Sequence, residues 1–428
     1  MAASSQSSKP WFRLDNAAKM YSAIQRKNYS ALYRFSAVMK EKVDPEVLQR
    51  AIDKTLVRFP GFHVKIKRGM FWYYFESDDS PGPFLQKDIS NPCQPVRFQN
   101  KDQLLRFFYY ENRISVEVFH ALADGAGTVY LLKTLLAVYL RELGHHIPCT
   151  DGVLDINDPP DPEEWEDAYA RYATSRVRLG FGHNKAYPCV GTPEPFYTLN
   201  VTMGFLSVEE VRKVSRQYGA SISEYLAAAL IESILLRQRR EDRRKERPVA
   251  LAVPINLRPY LPSKTLRNFI FTIRPSIDPR LGDYTFREIV SQVHHHMRLH
   301  SNRQEMQAAI THNVSLQRYL PLKLVPSPVK NFALNLGYRL AGSRPFSTTF
   351  TNPGPFTVPQ EMIPHIQHVE VMLGQSYAPR VNCAVISFQD TLEITFAGTV
   401  KETDVEREFF RHLVKDGLHV KVTSNRKE

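Results

Sequence analysis

His120-Ala121-Leu122-Ala123-Asp124-Gly125 sets an imidazole and a carboxylate around one tight turn, ahead of a glycine. These are residue types that proton transfer at neutral pH employs. The string alone is not specific, because His412-Leu413-Val414-Lys415-Asp416-Gly417 has the same form. The elements around each copy must separate them. His412 follows a helical stretch, residues 404–410, and Gly417 resembles a helix stop before a strand at 418–422, so this copy is read as accidental. His120 instead ends a strand at 113–119 in which Ile114, Val116 and Val118 alternate. Gly125-Ala126-Gly127 then turns the chain into a helix carrying Val129, Leu132, Leu136, Tyr139 and Leu143 on its apolar face. The plainer alternative makes His120 a satisfied core histidine and Asp124 only the N-cap of that helix.

Other elements frame this turn. A strand is expected at 31–39, and Asp44-Pro45-Glu46 opens a helix with Asp at the N-cap and Pro at the first helical position. Val47, Leu48, Ala51, Ile52, Thr55 and Leu56 form its buried face. Aromatic-rich 71–75 reads as a strand. The acidic, proline-broken run 158–162 and Pro188, Pro193 and Pro195 mark a linker region at 150–195. This divides the chain into 1–195, bearing the His120 motif, and 196–428. A strand at 197–205, a capping box at Ser207 to Glu210, a second box at Ser221 to Glu224, an apolar helix at 225–236 and a strand at 249–253 follow. Strand, cap and helix thus recur in both halves, which predicts an α/β chain with mixed sheets.

Strand, His-x-x-x-Asp-Gly, then helix resembles the CoA-dependent acyltransferase superfamily, which includes chloramphenicol acetyltransferase, plant BAHD acyltransferases, peptide-synthetase condensation domains and bacterial alcohol acetyltransferase-like proteins. Leu14-Asp15-Asn16-Ala17-Ala18-Lys19-Met20-Tyr21 resembles the opening of the last group, and Val253-Pro254-Ile255-Asn256-Leu257-Arg258-Pro259-Tyr260 resembles its Pro-x-Asn-Leu-Arg segment. Thr351-Asn352-Pro353-Gly354 resembles an Asn-x-Gly turn of the second half. The matches stand in the expected order over nearly the whole chain.

The resemblance implies a pseudo-dimer of two chloramphenicol-acetyltransferase-like domains, with a tunnel between them and His120 at its middle. His120 would be the general base for an alcohol attacking an acyl thioester. Asp124 would point away from substrate and pair with Arg258, supported by Asn256, and Gly125 would supply backbone conformation and clearance. Asn352, or a hydroxyl among Thr348, Thr349 and Thr351, is a candidate donor to the oxyanion. Acetyl-CoA or a longer acyl-CoA would be the donor substrate, with no permanently bound cofactor and no metal. A monomer would suffice. Phe119 stands where condensation domains usually carry a further histidine, and the Asp-Phe-Gly-Trp-Gly motif of plant BAHD enzymes is absent, since the tryptophans are Trp11, Trp72 and Trp165. An alcohol acetyltransferase-like activity is therefore the leading expectation. Amide or ester formation from an acyl carrier protein, and a binding protein that has lost turnover, are the alternatives.

Composition agrees with a globular chain: 428 residues, 43% hydrophobic and 23% charged. The net charge of +12 raises encounter with anionic partners, a carrier protein included. Nucleic acid is not expected, because the basic run 237–247 lacks interleaved aromatic residues for stacking. Cys93, Cys149, Cys189 and Cys383 are widely spaced, which fits a reducing compartment. The Ser-rich start has no apolar core of a leader, and the most apolar stretches are broken by Lys133 and Glu232, so a cytoplasmic protein outside the membrane is expected. Consecutive His294, His295 and His296 diverge by about 100° on a helix and cannot share a ligand face. His296 and His300 have metal-ligand spacing, but Met297 follows His296 and breaks the zinc-protease signature. Gly374-Gln375-Ser376-Tyr377-Ala378 falls one residue short of a nucleophile elbow, and no phosphate loop occurs.

Overall fold

The computed structural model describes residues 11–24, 30–70, 72–78, 85–96, 103–177, 185–241, 246–318, 345–375 and 381–426, with positions 325 and 329. Three sheets carry the fold. The first joins β1 (Trp11–Arg13), β4 (Tyr73–Ser77) and β3 (Val64–Arg68). The second has the order β13 (Ile366–Leu373), β2 (Leu32–Met39), β7 (Arg113–Phe119), β6 (Leu105–Tyr110), β5 (Gln86–Lys87). The third runs β10 (Ile270–Ile273), β9 (Val249–Asn256), β12 (Thr348–Thr351), β14 (Val381–Phe388), β15 (Thr391–Gly398), β8 (Asn200–Ser207), β16 (Lys421–Ser424). A short β11 (Ser276–Ile277) also pairs with β9. Alongside the sheets run α1 (Asn16–Ile24), α2 (Pro45–Arg58), α3 (Gly125–Glu142), α4 (Ala168–Tyr172), α5 (Val208–Gln217), α6 (Ile222–Glu241), α7 (Phe286–His300), α8 (Arg303–Arg318) and α9 (Asp404–Lys415). This is the mixed α/β class expected.

Local chemistry sets the first-half elements. Asp44 caps α2 by accepting from the Glu46 and Val47 amides, Pro45 leads the first turn, and all six expected apolar-face residues are buried. β7 spans 113–119 as expected and pairs antiparallel with β2, whose residues are all buried. On one face of this pair lie Tyr33, Phe35, Val116 and Val118, on which the helix α3 packs. In α3, Leu132, Leu136 and Tyr139 are buried, but Leu143 falls at the helix end and is exposed.

The second half departs from the simple division at 195/196. Its sheet begins at Asn200, three residues later than expected, because Pro195–Tyr197 forms a 3-10 turn first. Its strand β13 crosses to the edge of the second sheet, pairing antiparallel with β2 from Ile366 opposite Met39 to Leu373 opposite Tyr33. The N-terminal core therefore borrows from the second half: Phe356, Val358 and Val371 pack with the N-terminal apolar residues. The linker also docks. Arg58 makes a bidentate pair with Glu164 at 2.7 and 2.6 Å, and Gly61 sits so close to the Trp165 ring that a Cβ would overlap it. Of the two expected boxes, the second forms reciprocally between Ser221 and Glu224, while at the first the structure shows the serine half, Ser207 accepting from the Glu210 amide. Among the described residues, no single helix is long and apolar enough to cross a membrane.

Candidate active site

His120 leaves the end of β7, its amide donating to the Ala31 carbonyl at 2.8 Å, and Leu122 closes a turn onto the Phe119 carbonyl. Asp124 then caps α3 by accepting from the Gly127 amide at 3.1 Å. So the plainer reading of Asp124 as a cap holds, and it holds together with the expected ion pair. Arg258 donates Nη1 to Asp124 Oδ2 at 2.9 Å and Nη2 to Oδ1 at 3.2 Å, while the Phe269 amide donates to Oδ2 at 2.8 Å. The carboxylate is 1% exposed, and four donors converge on its two oxygens.

Arg258 belongs to the 257–269 connection between β9 and β10, which reaches across from the third sheet. Its guanidinium also donates to the Thr265 and Arg267 carbonyls at 2.8 and 2.7 Å and to Asn256 Oδ1 at 3.0 Å. Asn256 additionally accepts from the Arg258 amide, so it holds the start of the connection as expected. Further along, Arg267 donates to the Arg13 carbonyl at 2.7 Å and lies 3.4 Å from Asp15, the buried residue ahead of α1. One connection thus ties the His120 turn to the N-terminal segment.

The imidazole is partly buried. Tyr21 of α1 stacks on it with ring centroids 4.3 Å apart and planes 18° apart, and Tyr33 of β2 meets it edge-on at 4.9 Å. Asn268 bonds to His120 twice: Oδ1 lies 3.0 Å from the ring Nδ1, and Nδ2 donates to the backbone carbonyl at 2.9 Å. Burial holds the imidazole below its usual range, against the opposing pull of its own carbonyl, the Asp124 carboxylate and Asn268. Sequence reasoning assigned no role to Asp15, Tyr21 or Asn268. Arg267-Asn268 between apolar Leu266 and Phe269 was the signal, since such a polar pair in an apolar run needs buried partners.

Two expectations change. Gly125 has room: an added Cβ would meet only the Phe35 ring, at 3.5 Å, so the protein's own atoms do not demand glycine there. Gly127 is the one they demand, because a Cβ would lie 1.9 Å from the Leu266 carbonyl oxygen. Asn352 donates to Ser223 Oγ at 2.9 Å and accepts from the Gly354 amide at 2.9 Å, binding its own turn to α6. Gly354 takes φ +88°, which explains the glycine of that turn. Thr351 ends β12 partly buried, and the Thr348 hydroxyl is committed to the Val381 carbonyl. None of these hydrogen bonds reaches the His120 cluster.

The remaining motifs resolve structurally. His412 lies inside α9 beside Glu232, 2.6 Å away, and Asp416 accepts from Tyr225 and Tyr218 at 2.8 and 3.1 Å, so the second copy of the string is a helix end. His294, His295 and His296 diverge to Glu224, the Ser291 carbonyl and the His300 ring. Burial, then His300 and Arg274, pushes His296 down to about 4. Among the described residues, no group of three or more His, Cys, Asp or Glu could hold a metal ion. In the basic run, Arg239 and Arg240 pair with Asp283 and Glu408 at the surface, while residues 242–245 lie outside the described residues, as do 376–378 of the elbow-like string.

No protein-family model and no curated protein matches the chain by sequence. Solved structures do match by shape. Polyketide synthase associated protein 5 from Mycobacterium tuberculosis superposes with a TM-score of 0.62 at 17% identity, covering 94% of this chain and 96% of that one. The TRI3 trichothecene 15-O-acetyltransferase from Fusarium sporotrichioides gives 0.61 at 10% identity, with 97% and 96% covered. The starter condensation domain of rhizomide synthetase RzmA, solved as a mutant with C8-CoA and Leu-SNAC, gives 0.60 at 12% identity, with 95% and 94% covered. The chain has the fold shared by condensation domains and CoA-dependent acyltransferases of the chloramphenicol acetyltransferase type.

Proposed function

We propose that this protein is an acyltransferase that moves an acyl group from acyl-CoA to an alcohol by direct attack, with His120 as general base. The carrying observation is the partly buried imidazole at the end of β7, stacked on Tyr21 and bonded by Asn268, in a fold that serves an O-acetyltransferase and a CoA-bound condensation domain. In the reaction His120 removes the hydroxyl proton as the oxygen attacks the thioester carbonyl. The tetrahedral intermediate then expels the CoA thiolate, which recovers the proton from the imidazolium. No covalent acyl-enzyme is needed. Asp124 faces its partners and not the substrate, since Arg258 and two amides engage both its oxygens. It holds the turn. Gly125 serves by leaving substrate space beside the base, and the +12 charge favours anionic CoA or, in a second reading, an acidic carrier protein bearing the thioester. The protein acts as a monomer in the cytoplasm.

Thiol release from acetyl-CoA and longer acyl-CoAs, measured against a panel of alcohols and amines, tests this. Release should depend on acceptor and fall about 10²–10⁴-fold in a folded His120→Ala variant, the contribution of a positioned base. An unimpaired variant removes His120 from the mechanism. Silence with every CoA ester but turnover with loaded carrier protein establishes the second reading.

A further inference from the structure

We infer that the tip of the small β1–β4–β3 sheet is a docking surface for an anionic phospholipid bilayer, with basic side chains at the headgroups and apolar ones inserted beyond them. The chain around the tip reads Lys65-Ile66-Lys67-Arg68-Gly69-Met70-Phe71-Trp72-Tyr73-Tyr74, the basic residues first and then an unbroken apolar and aromatic run. The Gly69 amide donates to the Trp72 carbonyl at 2.8 Å and closes the turn, so both sets share one end of the sheet. Met70 is 72% exposed and Trp72 50% exposed, although folded chains ordinarily cover both types. The antiparallel register puts Arg13, Tyr74 and Lys67 in one row, and Trp11, Glu76 and Lys65 in the next row of the same face. Trp11 is 53% exposed there and meets the Tyr74 ring edge-on, with centroids 6.3 Å apart. The opposite face, with Val64 and Phe75, is buried in the N-terminal core, so this one is turned outward.

The charges are sorted along the sheet. Away from the tip, Asp78 takes Lys65 at 2.6 Å, and Glu76 lies 3.5 Å from Lys67. Arg13 and Arg68 have no carboxylate partner among the described residues, so the tip end carries the positive excess. An anionic headgroup layer supplies the missing counter-charge. Tryptophan and tyrosine rings favour that same layer, and Lys and Arg stems reach past apolar surface to it. Other partners fit less well. Lysine is depleted at protein interfaces, whereas two lysines flank these rings. Single-stranded nucleic acid is held by rings interleaved with cations along a groove, whereas here the two sets are segregated, with Met70 and Trp72 at the turn. The surface is also continuous with the wall of the His120 site. From β1 the chain passes through Leu14 and Asp15 into α1, whose Tyr21 stacks on His120, and the Arg13 carbonyl accepts from Arg267.

Docking does not depend on His120 being a base and can be measured without turnover. The full chain is sedimented with vesicles of phosphatidylcholine, with and without phosphatidylglycerol, while its tryptophan emission is followed. Trp165 packs on Phe62 inside the fold and should not respond, which leaves Trp11 and Trp72 to report. Binding should require phosphatidylglycerol, weaken with added salt and shift the emission to the blue. Lys67→Ser/Arg68→Ser should weaken it about 30-fold, at about fivefold per charge. Met70→Ser should weaken it about 10-fold, the effect of losing one inserted apolar side chain. All three residues are exposed, so these variants keep their fold. Because the whole chain is basic, Arg212→Ser/Arg216→Ser on the exposed face of α5 is the control and should bind like wild type. No binding to vesicles with phosphatidylglycerol, or an emission that does not move, overturns the inference. So does equal loss in the two double variants, which would assign the attraction to net charge. Retention of a single-stranded oligouridylate in preference to the vesicles overturns it as well.

Discussion

Asp124→Asn isolates what the carboxylate charge does, because the side chain keeps its shape. In the wild type, Oδ1 accepts from the Gly127 amide and Arg258 Nη2, and Oδ2 accepts from Arg258 Nη1 and the Phe269 amide. An asparagine offers one oxygen. Its NH2 group would face two donors wherever it points, and the guanidinium, 13% exposed, would lose its counter-charge. Removing one partner of a buried pair costs about 3–5 kcal/mol, which is roughly 10²–10⁴-fold in the local opening equilibrium. Native-state hydrogen exchange followed by mass spectrometry reads this directly. Peptides covering 120–128 and 257–269 should lose protection by that factor, while a peptide from α9 keeps its own, since it shares no partner with the site. In the double variant Asp124→Asn/Arg258→Met, part of the loss should return, because the unpaired charge is gone. Unchanged protection around Phe269, or a double variant no better than the sum of its singles, refutes the reasoning.

Gly127→Ala should destabilise the protein by about 1–3 kcal/mol, the usual penalty of overpacking, because its Cβ would meet backbone that cannot rotate away. Gly125→Ala should leave the urea midpoint near wild type. Equal midpoints for the two variants would show that the Leu266 carbonyl yields. Glu393, buried on β15 and hydrogen-bonded by the Thr395 hydroxyl, has its carboxyl pushed well above the usual range by burial, with Glu370 adding to the effect. Folding therefore takes up a proton above the unfolded value of about 4.3, and stability falls as pH rises from there toward the folded value. Glu393→Gln, neutral at every pH, should be more stable than wild type at pH 8, with the difference shrinking toward pH 5. A pH-independent difference in urea midpoints would sink the assignment.

What was legible in the sequence is what acts over a few residues. Asp44-Pro45 determines where α2 starts because a cap and a fixed φ act within one turn. Strand β7 falls at 113–119 because Ile114, Val116 and Val118 recur with the period of a strand, although Ser115, Glu117 and Phe119 on its other face are buried as well. The accidental copy at His412 could be dismissed on the same local grounds. What was not legible is choice of partner. The β13 pattern, Ile-Gln-His-Val-Glu-Val-Met-Leu, would suit an edge of either large sheet, and pairing with β2 is decided by contacts more than three hundred residues apart in the chain. Gly125 and Gly127 could not be ranked either, since the carbonyl that forbids a side chain at the second comes from Leu266. Asn268 was hidden for the same reason. Its partner is 148 residues away, and an asparagine before a strand ordinarily marks a turn.

The groups around His120 come from four separate stretches: Asp15 and Tyr21, then Tyr33 of β2, then the 120–128 turn, then Arg258 to Phe269 of the β9–β10 connection. Each supplies something the others cannot. The strand end delivers the imidazole, the N-terminal helix covers its face, and the connection holds its far nitrogen. Burial lowers the proton affinity of His120, and that burial exists only while Tyr21, Tyr33 and Asn268 stay seated against the ring. The Asp124–Arg258 pair is what seats the connection. The ion pair therefore bears on His120 in two opposed ways: it seats the connection that covers the ring, and its carboxylate pulls against the effect of that burial.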